Sequence, residues 1–161
     1  MTSVAYIALG GNVGDVLQNF RFACSRISEL GQIIRRSRVY ETPPWGKADQ
    51  DPFLNATIEL HTSLLPEQLL NHLLDIENAC GRTRTERWGP RTLDLDLLSF
   101  DQIRHETPKL TLPHPCCFDR AFVLLPWAEI APDWRFLDGP TLMERLRELD
   151  LTGIRKIEDP W

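Results

Sequence analysis

The alternation of hydrophobic and polar positions predicts five strands along this chain. Residues 4–9 form a short apolar run that a glycine pair closes, which is typical of a buried strand. Residues 53–61 alternate, so their apolar side chains share one face of a strand. The same reasoning predicts strands at residues 33–40 and 93–100, and a last short strand at residues 154–157.

Two amphipathic helices separate these strands. The first begins after Asp15, a candidate N-cap with Gln18 three residues later, and Gly31 ends it. The second has Pro66 at its first position and ends at Gly81. Apolar residues recur at helical spacing in both, first Val16, Phe20, Ala23, Cys24, Ile27 and Leu30, then Leu69, Leu70, Leu73, Ile76 and Cys80. Further helical patterns lie at residues 121–130 and 140–149.

The order of these elements predicts the fold class. It is β-α-β-β-α-β followed by a C-terminal helical addition, which is the arrangement of ferredoxin-like α+β folds. We therefore expect an antiparallel sheet with helices packed on it. The chain has 161 residues, and about 150 residues make one domain, so residues 1–161 are expected to form a single domain.

Charge and composition narrow the class of protein. Lysine and arginine total 18 and aspartate and glutamate total 23, so the net charge is −5. This acidic balance argues against binding to nucleic acid or to an anionic membrane. The apolar stretches are far shorter than the ~20 residues of a membrane helix, and the N-terminus lacks the basic segment of a signal peptide. The four cysteines form no C-x-x-C pair, which favours reduced thiols and a cytoplasmic protein.

Residues 82–97 carry the most informative motif. Four arginines fall close together in an otherwise acidic chain: Arg82, Arg84, Arg87 and Arg91. A guanidinium presents a planar fork of donors that suits phosphate oxygens. Gly81 and Gly89 bracket the run, which predicts a loop that moves over a ligand. The alternative is a solvated loop whose first arginines complement a helix C-terminus.

The residues that follow alternate strictly between leucine and aspartate. Side chains two positions apart share one face of a strand, so Asp94 and Asp96 are expected to point together, with Cα atoms ~6.7 Å apart. This spacing suits two carboxylates beside a pair of Mg²⁺ ions ~3.5–4 Å apart that also bind phosphates. A solvent-facing strand is the alternative, but aspartate is a poor strand former and paired carboxylates repel each other. The motif therefore predicts a metal–triphosphate site.

Three weaker patterns accompany this motif. The glycine cluster at residues 10–14 matches neither G-x-G-x-x-G nor a Walker A loop, so a tight turn is the favoured interpretation and a loop near the substrate is the alternative. Phe53 and Asn55 share a strand face, where an aromatic ring beside an amide suits a flat heterocycle, although an ordinary outer strand face explains them too. His114 is a candidate phosphate donor or an incidental loop histidine, and Phe122 is a candidate core residue.

Six segments carry a more specific signal. The longest is Glu-Arg-Trp-Gly-Pro-Arg-Thr-Leu-Asp-Leu-Asp-Leu at residues 86–97. The others are Val-Ala-Tyr-Ile-Ala-Leu-Gly at 4–10, Tyr-Glu-Thr-Pro-Pro at 40–44, Phe-Leu-Asn-Ala at 53–56, Leu-Pro-His-Pro at 112–115 and Arg-Ala-Phe at 120–122. Together, and in this order, they resemble the 6-hydroxymethyl-7,8-dihydropterin pyrophosphokinase family of folate biosynthesis.

The resemblance implies an activity and a set of site residues. It implies a monomeric enzyme that transfers diphosphate from ATP, its co-substrate, to the pterin's hydroxymethyl group and releases AMP, with no nucleic-acid or membrane partner. It implies two Mg²⁺ ions held by Asp94 and Asp96, and a catalytic role for Arg82 and Arg91 as well. The implied ATP site comprises Glu77, Arg84, Trp88, Arg91, Lys109, Thr111, His114 and Arg120. The implied pterin site comprises Thr42, Pro43, Pro44, Trp45, Phe53, Asn55 and Phe122, with Phe53 and Phe122 on the two ring faces.

Four positions depart from the family's pattern. Leu74 stands where some relatives have glutamine, and Trp45 replaces a smaller apolar residue. Phe53 replaces the tyrosine of some members. Lys109 stands for an arginine, and a lysine cannot make the bidentate contact of a guanidinium.

Two other classes of function are weighed against this interpretation. A ferredoxin-like RNA-binding module needs a basic-aromatic strand and a positive face, and the sequence has neither. An inactive nucleotide-binding regulator with the same pocket is disfavoured, because both Asp94 and Asp96 are present.

Overall fold

A computed structural model describes residues 1–43, 50–81, 92–158 and 160–161 of the chain. Its strands are β1 (Ser3–Gly11), β2 (Gln32–Arg36), β3 (Val39–Thr42), β4 (Phe53–Thr62), β5 (Asp94–Phe100), β6 (His105–Glu106), β7 (Thr111–Leu112) and β8 (Arg155–Ile157). Its helices are α1 (Val16–Ile27), α2 (Pro66–Ala79), α3 (Ala121–Ile130) and α4 (Leu142–Leu146). The hairpin of β6 and β7 was not predicted, because strands of two residues are too short to show alternation.

Six strands form one antiparallel sheet. The order is β5-β1-β4-β3-β8, and β2 also pairs with β4. The long strands β1 and β4 pair over their whole length, from Ser3 opposite Thr62 to Gly11 opposite Leu54. β8 pairs with β3, so the end of the chain completes one edge of the sheet. The predicted combination of helices with an antiparallel sheet is confirmed.

The strand predicted at residues 33–40 is in fact two strands, because Ser37 interrupts it. The backbone N–H of Thr57 donates to Ser37 Oγ at 2.9 Å, where a regular ladder would use a carbonyl. The Ser37 carbonyl instead accepts a hydrogen bond from Trp161 Nε1 at 2.8 Å. β2 and β3 consequently pair with different halves of β4.

Helices cover both faces of the sheet. Ile7 and Leu9 of β1 belong to a core that includes buried residues of α1 and α2. Tyr6 and Ala8 belong to a second core on the opposite face, formed with α3 and α4. Trp127, fully buried in α3, lies at the centre of an aromatic cluster there; its ring centroid is 4.7 Å from that of Trp134 and 5.6 Å from that of Tyr6. The predicted C-terminal addition therefore supplies a core of its own.

The predicted starts of α1 and α2 are confirmed, as are the bounds of α3 and the end of α2 before Gly81, but α1 and α4 are shorter than predicted. Asp15 Oδ1 accepts a hydrogen bond from the Gln18 N–H at 3.1 Å, and Pro66 is the first residue of α2. α1 ends at Ile27, and the Leu30 N–H donates to the Ile27 carbonyl in a tighter turn. α4 is only five residues long. No helix in the described ranges has both the length and the apolar character needed to cross a membrane.

Gly31 has a packing role that the sequence did not indicate. A Cβ atom at this position would lie 2.2 Å from the carbonyl oxygen of His61 in β4. Only glycine lets the chain that leaves α1 pass so close to the sheet. Gly31 therefore fixes the entry into β2 rather than capping α1.

Candidate active site

A row of residues crosses four strands on the face that α3 and α4 cover. Strand pairing places Asp94 of β5 opposite Gly10 of β1, Gly10 opposite Asn55 of β4, and Asn55 opposite Tyr40 of β3. Residues that pair across strands share a face, and neighbouring strands lie about 4.8 Å apart. Asp94 and Asn55 therefore project from the same face, and a glycine separates them.

Gly10 itself contributes no side chain between these two residues. A Cβ atom at Gly10 would lie 3.0 Å from Asn55 Oδ1 and 4.0 Å from the Cβ of Asp94. Glycine inside a strand often marks a place where a ligand or another group approaches closely. We therefore include Gly10 in the candidate site.

The alternation predicted around the paired aspartates is present in β5. Leu95 and Leu97 are buried in the core that α1 and α2 cover. Asp96 is exposed and Asp94 is half-buried on the other face, where Asp96 pairs with Ala8 of β1. Both carboxylates thus extend from one end of β5 on the same side of the sheet.

A buried carboxylate from α2 holds the strand that carries these aspartates. Glu77 is 3% exposed, and its Oε2 accepts a hydrogen bond from the backbone N–H of Leu95 at 2.6 Å. Leu95 lies between Asp94 and Asp96, and β5 is an edge strand whose outward N–H groups need acceptors from elsewhere. A buried N–H group left without an acceptor costs free energy, so the contact of Glu77 with Leu95 fixes the position of β5.

The predicted ring-binding residues of β3 and β4 lie at the same end of the sheet. Thr42 is buried and pairs with Phe53. Asn55 Nδ2 donates a hydrogen bond to Thr42 Oγ1 at 3.4 Å. This contact sets the orientation of the Asn55 amide, which offers both a donor and an acceptor to a heterocycle.

A cavity of about 540 Å³ opens beside these residues. Thr42 and Pro43 line it from the end of β3, and Arg120 and Phe122 line it from the start of α3. The guanidinium carbon of Arg120 lies 6.0 Å from the centroid of the Phe122 ring. Small-molecule sites have volumes of roughly 300–1,000 Å³, so the cavity has the size for a bicyclic ring.

His114 is close enough to Asp96 and to Arg120 for both charges to act on its ring. Burial lowers its pKa below the usual value, the charge of Asp96 raises it and the Arg120 guanidinium lowers it. His114 Nδ1 accepts a hydrogen bond from the backbone N–H of Cys116 at 3.3 Å. The neutral ring therefore carries its proton on Nε2, which can donate to an anion.

Two predicted nucleotide-binding residues lie on the β6–β7 hairpin. Thr111 is exposed and pairs with Glu106, and Lys109 is exposed in the turn between the two strands. β7 packs against β5, which places the hairpin beside the edge strand.

Six predicted site residues lie outside the described residues. Two of them follow Pro43 directly, and four belong to the arginine-rich motif: Pro44 and Trp45, then Arg82, Arg84, Trp88 and Arg91. Their predicted roles remain predictions.

The sequence did not indicate two asparagines that hold the chain next to these segments. Asn12 is 4% exposed, and its Nδ2 donates to Gln50 Oε1 and to the Asp51 carbonyl, each at 2.9 Å. Asn19 Nδ2 donates to the Thr92 carbonyl at 3.1 Å. Only the contacts reveal this role, since asparagine after a strand also fits a simple turn. The burial of Glu77 had a weak signal in the sequence, because Glu77 follows Leu73 by four residues and so lies on the buried stripe of α2.

The donor set on β5 fits a magnesium site that needs substrate to be complete. Within the ranges that the structure describes, no three His, Cys, Asp or Glu side chains cluster as metal ligands. Mg²⁺ keeps several waters and is bound by one or two carboxylates plus substrate phosphates. Asp94 and Asp96 supply the carboxylates, and their half-buried and exposed positions leave room for the other ligands.

Residues 6–132 match the family model of 7,8-dihydro-6-hydroxymethylpterin-pyrophosphokinase, or HPPK. This chain belongs to the HPPK family. Similar proteins named 2-amino-4-hydroxy-6-hydroxymethyldihydropteridine pyrophosphokinase occur in several bacteria. The one from Methylorubrum extorquens is 44% identical over 156 residues, covering 96% of this chain and 98% of that protein. The one from Bacillus subtilis is 47% identical over 132 residues, covering 81% of this chain and 79% of that protein. The resemblance found in the sequence is thereby confirmed.

Solved structures of HPPK-DHPS from Plasmodium falciparum share the fold. The wild-type structure with STZ-DHP has a TM-score of 0.74 at 16% identity, and a triple mutant with SDX-DHP has a TM-score of 0.72 at 17% identity. Each match covers 92% of this chain, which spans 43% and 44% of those longer chains. At this identity the likeness concerns the fold alone.

Proposed function

We propose that the cleft on this face binds ATP and 6-hydroxymethyl-7,8-dihydropterin side by side. The chain is an HPPK-family enzyme that transfers diphosphate from ATP to the pterin's hydroxymethyl group in folate biosynthesis, with AMP as the second product. The observation that supports this location best is the row of Asp94, Gly10 and Asn55. It puts a carboxylate and an oriented amide on one face of the sheet, with a glycine between them in the strand pairing.

Asp94 and Asp96 are the proposed ligands of two Mg²⁺ ions. Bound magnesium neutralises the charge of a triphosphate and polarises the acceptor hydroxyl. Glu77 supports both aspartates at once, because it holds the backbone between them.

The triphosphate is proposed to extend from β5 toward the start of α3. His114 donates from Nε2 to a phosphate oxygen, and Arg120 adds a guanidinium beside it. We also assign nucleotide contacts to residues of the hairpin, of α2 and of the arginine-rich motif: Lys109, Thr111, Glu77, Arg84, Trp88 and Arg91. Arg82 joins Arg91 in stabilising the charge that develops during transfer.

The pterin is proposed to lie between Asn55 and the cavity. The amide of Asn55 reads the donor and acceptor edge of the ring, and Thr42 keeps that amide in place. Phe53 and Phe122 contact the two ring faces. Pro43 contacts the ring's rim, and Pro44 and Trp45 complete the subsite.

Transfer in this arrangement depends on positioning and on charge. The hydroxymethyl oxygen forms a bond to the β-phosphorus while the bond from that phosphorus to the bridging oxygen of the α-phosphate breaks. AMP leaves with the bridging oxygen, and the hydroxyl proton passes to solvent. Asn55 and the phenylalanines hold the acceptor, while His114 and Arg120 hold the donor, which converts an encounter of two molecules into a reaction within one complex.

We extend the proposal to the topology of the sheet, the domain organisation, the oligomeric state and the location of the protein. The order β5-β1-β4-β3 supports a ferredoxin-like topology, with residues 1–161 acting as one domain. We further propose a monomeric, cytoplasmic enzyme that binds neither nucleic acid nor membranes, which is in keeping with a net charge of −5.

A product assay tests the function directly. Purified protein is incubated with Mg²⁺, ATP and 6-hydroxymethyl-7,8-dihydropterin, and the nucleotides are separated by anion-exchange chromatography. We expect one AMP for each pterin diphosphate. ADP as the stoichiometric product would contradict diphosphate transfer. A gel shift with mixed RNA tests the RNA-binding alternative, and we expect no shift.

A further inference from the structure

The cavity beside the candidate site has a wall that comes from the end of the chain. Residues 149–154, named here the C-terminal turn, connect α4 to β8. Leu149, Asp150, Thr152 and Ile154 of this turn line the cavity together with Thr42 and Phe122. The turn lies beyond residues 6–132, which match the family model.

Strand pairing brings the C-terminal turn to the end of β3. Arg155 of β8 pairs with Glu41, and its guanidinium donates to the Glu41 carboxylate. The antiparallel register continues past this pair and leads Gly153 to Pro43. A Cβ atom at Gly153 would lie 3.2 Å from Cγ of Pro43.

Gly153 also adopts a conformation that glycine favours. Its φ angle is +86°, in the left-handed region where a side chain is strained. A residue with a side chain at this position would therefore meet two obstacles, the backbone strain and the ring of Pro43. Both obstacles act at the point where the turn contacts the cleft.

Contacts within the C-terminal turn and on both sides of it fix its position. Inside it, the Thr152 N–H donates to Asp150 Oδ1 at 2.9 Å. Before it, Leu142 and Leu146 of α4 are buried in the second core. After β8, the Trp161 ring packs edge-on against Phe20 with a centroid distance of 5.5 Å.

We propose that the C-terminal turn forms a wall of the pterin subsite and that Gly153 is a positioning residue for it. By packing against Pro43, Gly153 sets where the end of β3 lies, and with it the Thr42 hydroxyl that orients the Asn55 amide. This inference rests on the proposed function, since it assigns the ligand of the cavity from it.

The substitution Gly153→Ala tests the positioning role. Binding of 6-hydroxymethylpterin is measured by calorimetry in the presence of Mg²⁺ and an ATP analogue with a methylene bridge between the α- and β-phosphorus. We expect the pterin Kd to rise about tenfold, which corresponds to about 1.4 kcal/mol, and the Kd of the ATP analogue to stay unchanged.

Gly14→Ala is the matched control. Gly14 has a φ of +74°, and no atom of the described residues lies within 4 Å of the position that a Cβ would take there. This variant therefore carries the backbone strain without the contact, and it should bind the pterin like the wild type.

A second pair of variants covers the case in which Gly153→Ala does not fold. Thr152 is exposed, and its contact with Asp150 uses the backbone, so Thr152→Tyr should keep the turn and fill the cavity. We expect Thr152→Tyr to weaken pterin binding at an unchanged melting temperature. Leu151→Tyr, at the exposed neighbour that is not part of the lining, should bind both ligands normally.

The outcomes separate this inference from the function on which it rests. A wild-type protein that makes no AMP would contradict both. If the wild type is active and a folded Thr152→Tyr variant binds the pterin with unchanged affinity, the proposed wall is contradicted and the proposed function is not. Weakened pterin binding in Thr152→Tyr, with normal binding in Leu151→Tyr, would support it.

Discussion

Gly10 lies between the two parts of the proposed cleft, the pterin side and the magnesium side. It separates Asn55, which we assign to the pterin, from Asp94, which we assign to magnesium, and a Cβ there would lie 3.0 Å from Asn55 Oδ1. Few real Cβ contacts are so short, so alanine would displace the amide. The absence of a side chain at Gly10 thus has a direct role in orienting Asn55.

We predict that Gly10→Ala raises the KM for the pterin about tenfold, the equivalent of about 1.4 kcal/mol, with a smaller change in the KM for ATP. A double-mutant cycle with Asn55→Ala identifies the cause. If Gly10 acts through Asn55, then Gly10→Ala should change the pterin KM little in the Asn55→Ala background. Full additivity of the two effects would contradict the role given to Gly10.

Asp96 offers a second prediction at this scale. Asp96→Asn keeps the size of the side chain and removes the charge, so kcat should fall roughly 10²–10³-fold, as for other losses of charge stabilisation in a transition state. The residue is exposed, so the melting temperature should change little. Asp138→Asn, at another exposed aspartate, is the control and should retain wild-type kcat. Equal rates for both variants would remove Asp96 from the metal site.

At the scale of elements, β5 depends on α2 for its position. Glu77→Leu would leave the buried Leu95 N–H without its acceptor, which costs about 1–3 kcal/mol of unfolding free energy, whereas Glu77→Gln keeps an acceptor and should cost less. We expect both variants to need more Mg²⁺ for half-maximal activity, and Glu77→Leu to need the most. Urea unfolding and a magnesium titration of the rate measure the two effects. A Glu77→Leu protein as stable as the wild type would contradict this account.

The elements also show what could be predicted from the sequence. Periodicity located β1, β4, β5, α1 and α2, because each has one buried face and enough residues for a pattern to repeat. It predicted one strand where Ser37 makes two, because a side chain that replaces a backbone acceptor leaves no trace in hydrophobicity. Gly31 resembled a helix stop, while its real constraint is a neighbour thirty positions away in β4. The wall at residues 149–154 has no motif, since it arises only when β8 pairs with β3.

In the candidate site, too, local patterns could be predicted and contacts between distant residues could not. The shared face of Asp94 and Asp96, and that of Phe53 and Asn55, were predictable because strand alternation acts locally. The contact of Glu77 with Leu95 was not, because it joins a helix and a strand that the arginine-rich motif separates in sequence.

At the scale of the whole molecule, several weakly acidic side chains are buried. Burial raises the pKa of Tyr6 to about 12, with a further rise from Glu59, and raises the pKa of Cys24 to about 11. Burial also raises the pKa of Cys117 to about 12. Burial and the hydrogen bond to Glu129 raise the pKa of Tyr40 as well.

These shifts predict a loss of stability in alkaline solution. Each folded pKa lies above the unfolded value, 9.0 for cysteine and 10.0 for tyrosine, so the unfolded chain releases protons first. The stabilisation is complete below the unfolded values and is lost as pH rises through the folded ones. Urea midpoints measured from about pH 8 to about pH 12 should therefore fall. Tyr6→Phe should show a shallower fall, and an identical slope would exclude Tyr6 as a contributor.

The neighbouring indoles of Trp127 and Trp134 have an optical consequence. With ring centroids 4.7 Å apart and planes inclined by 39°, their electronic transitions couple. The pair should give a circular dichroism couplet that neither tryptophan produces alone. Since both rings lie in the core beneath α3 and α4, this couplet reports melting of that layer.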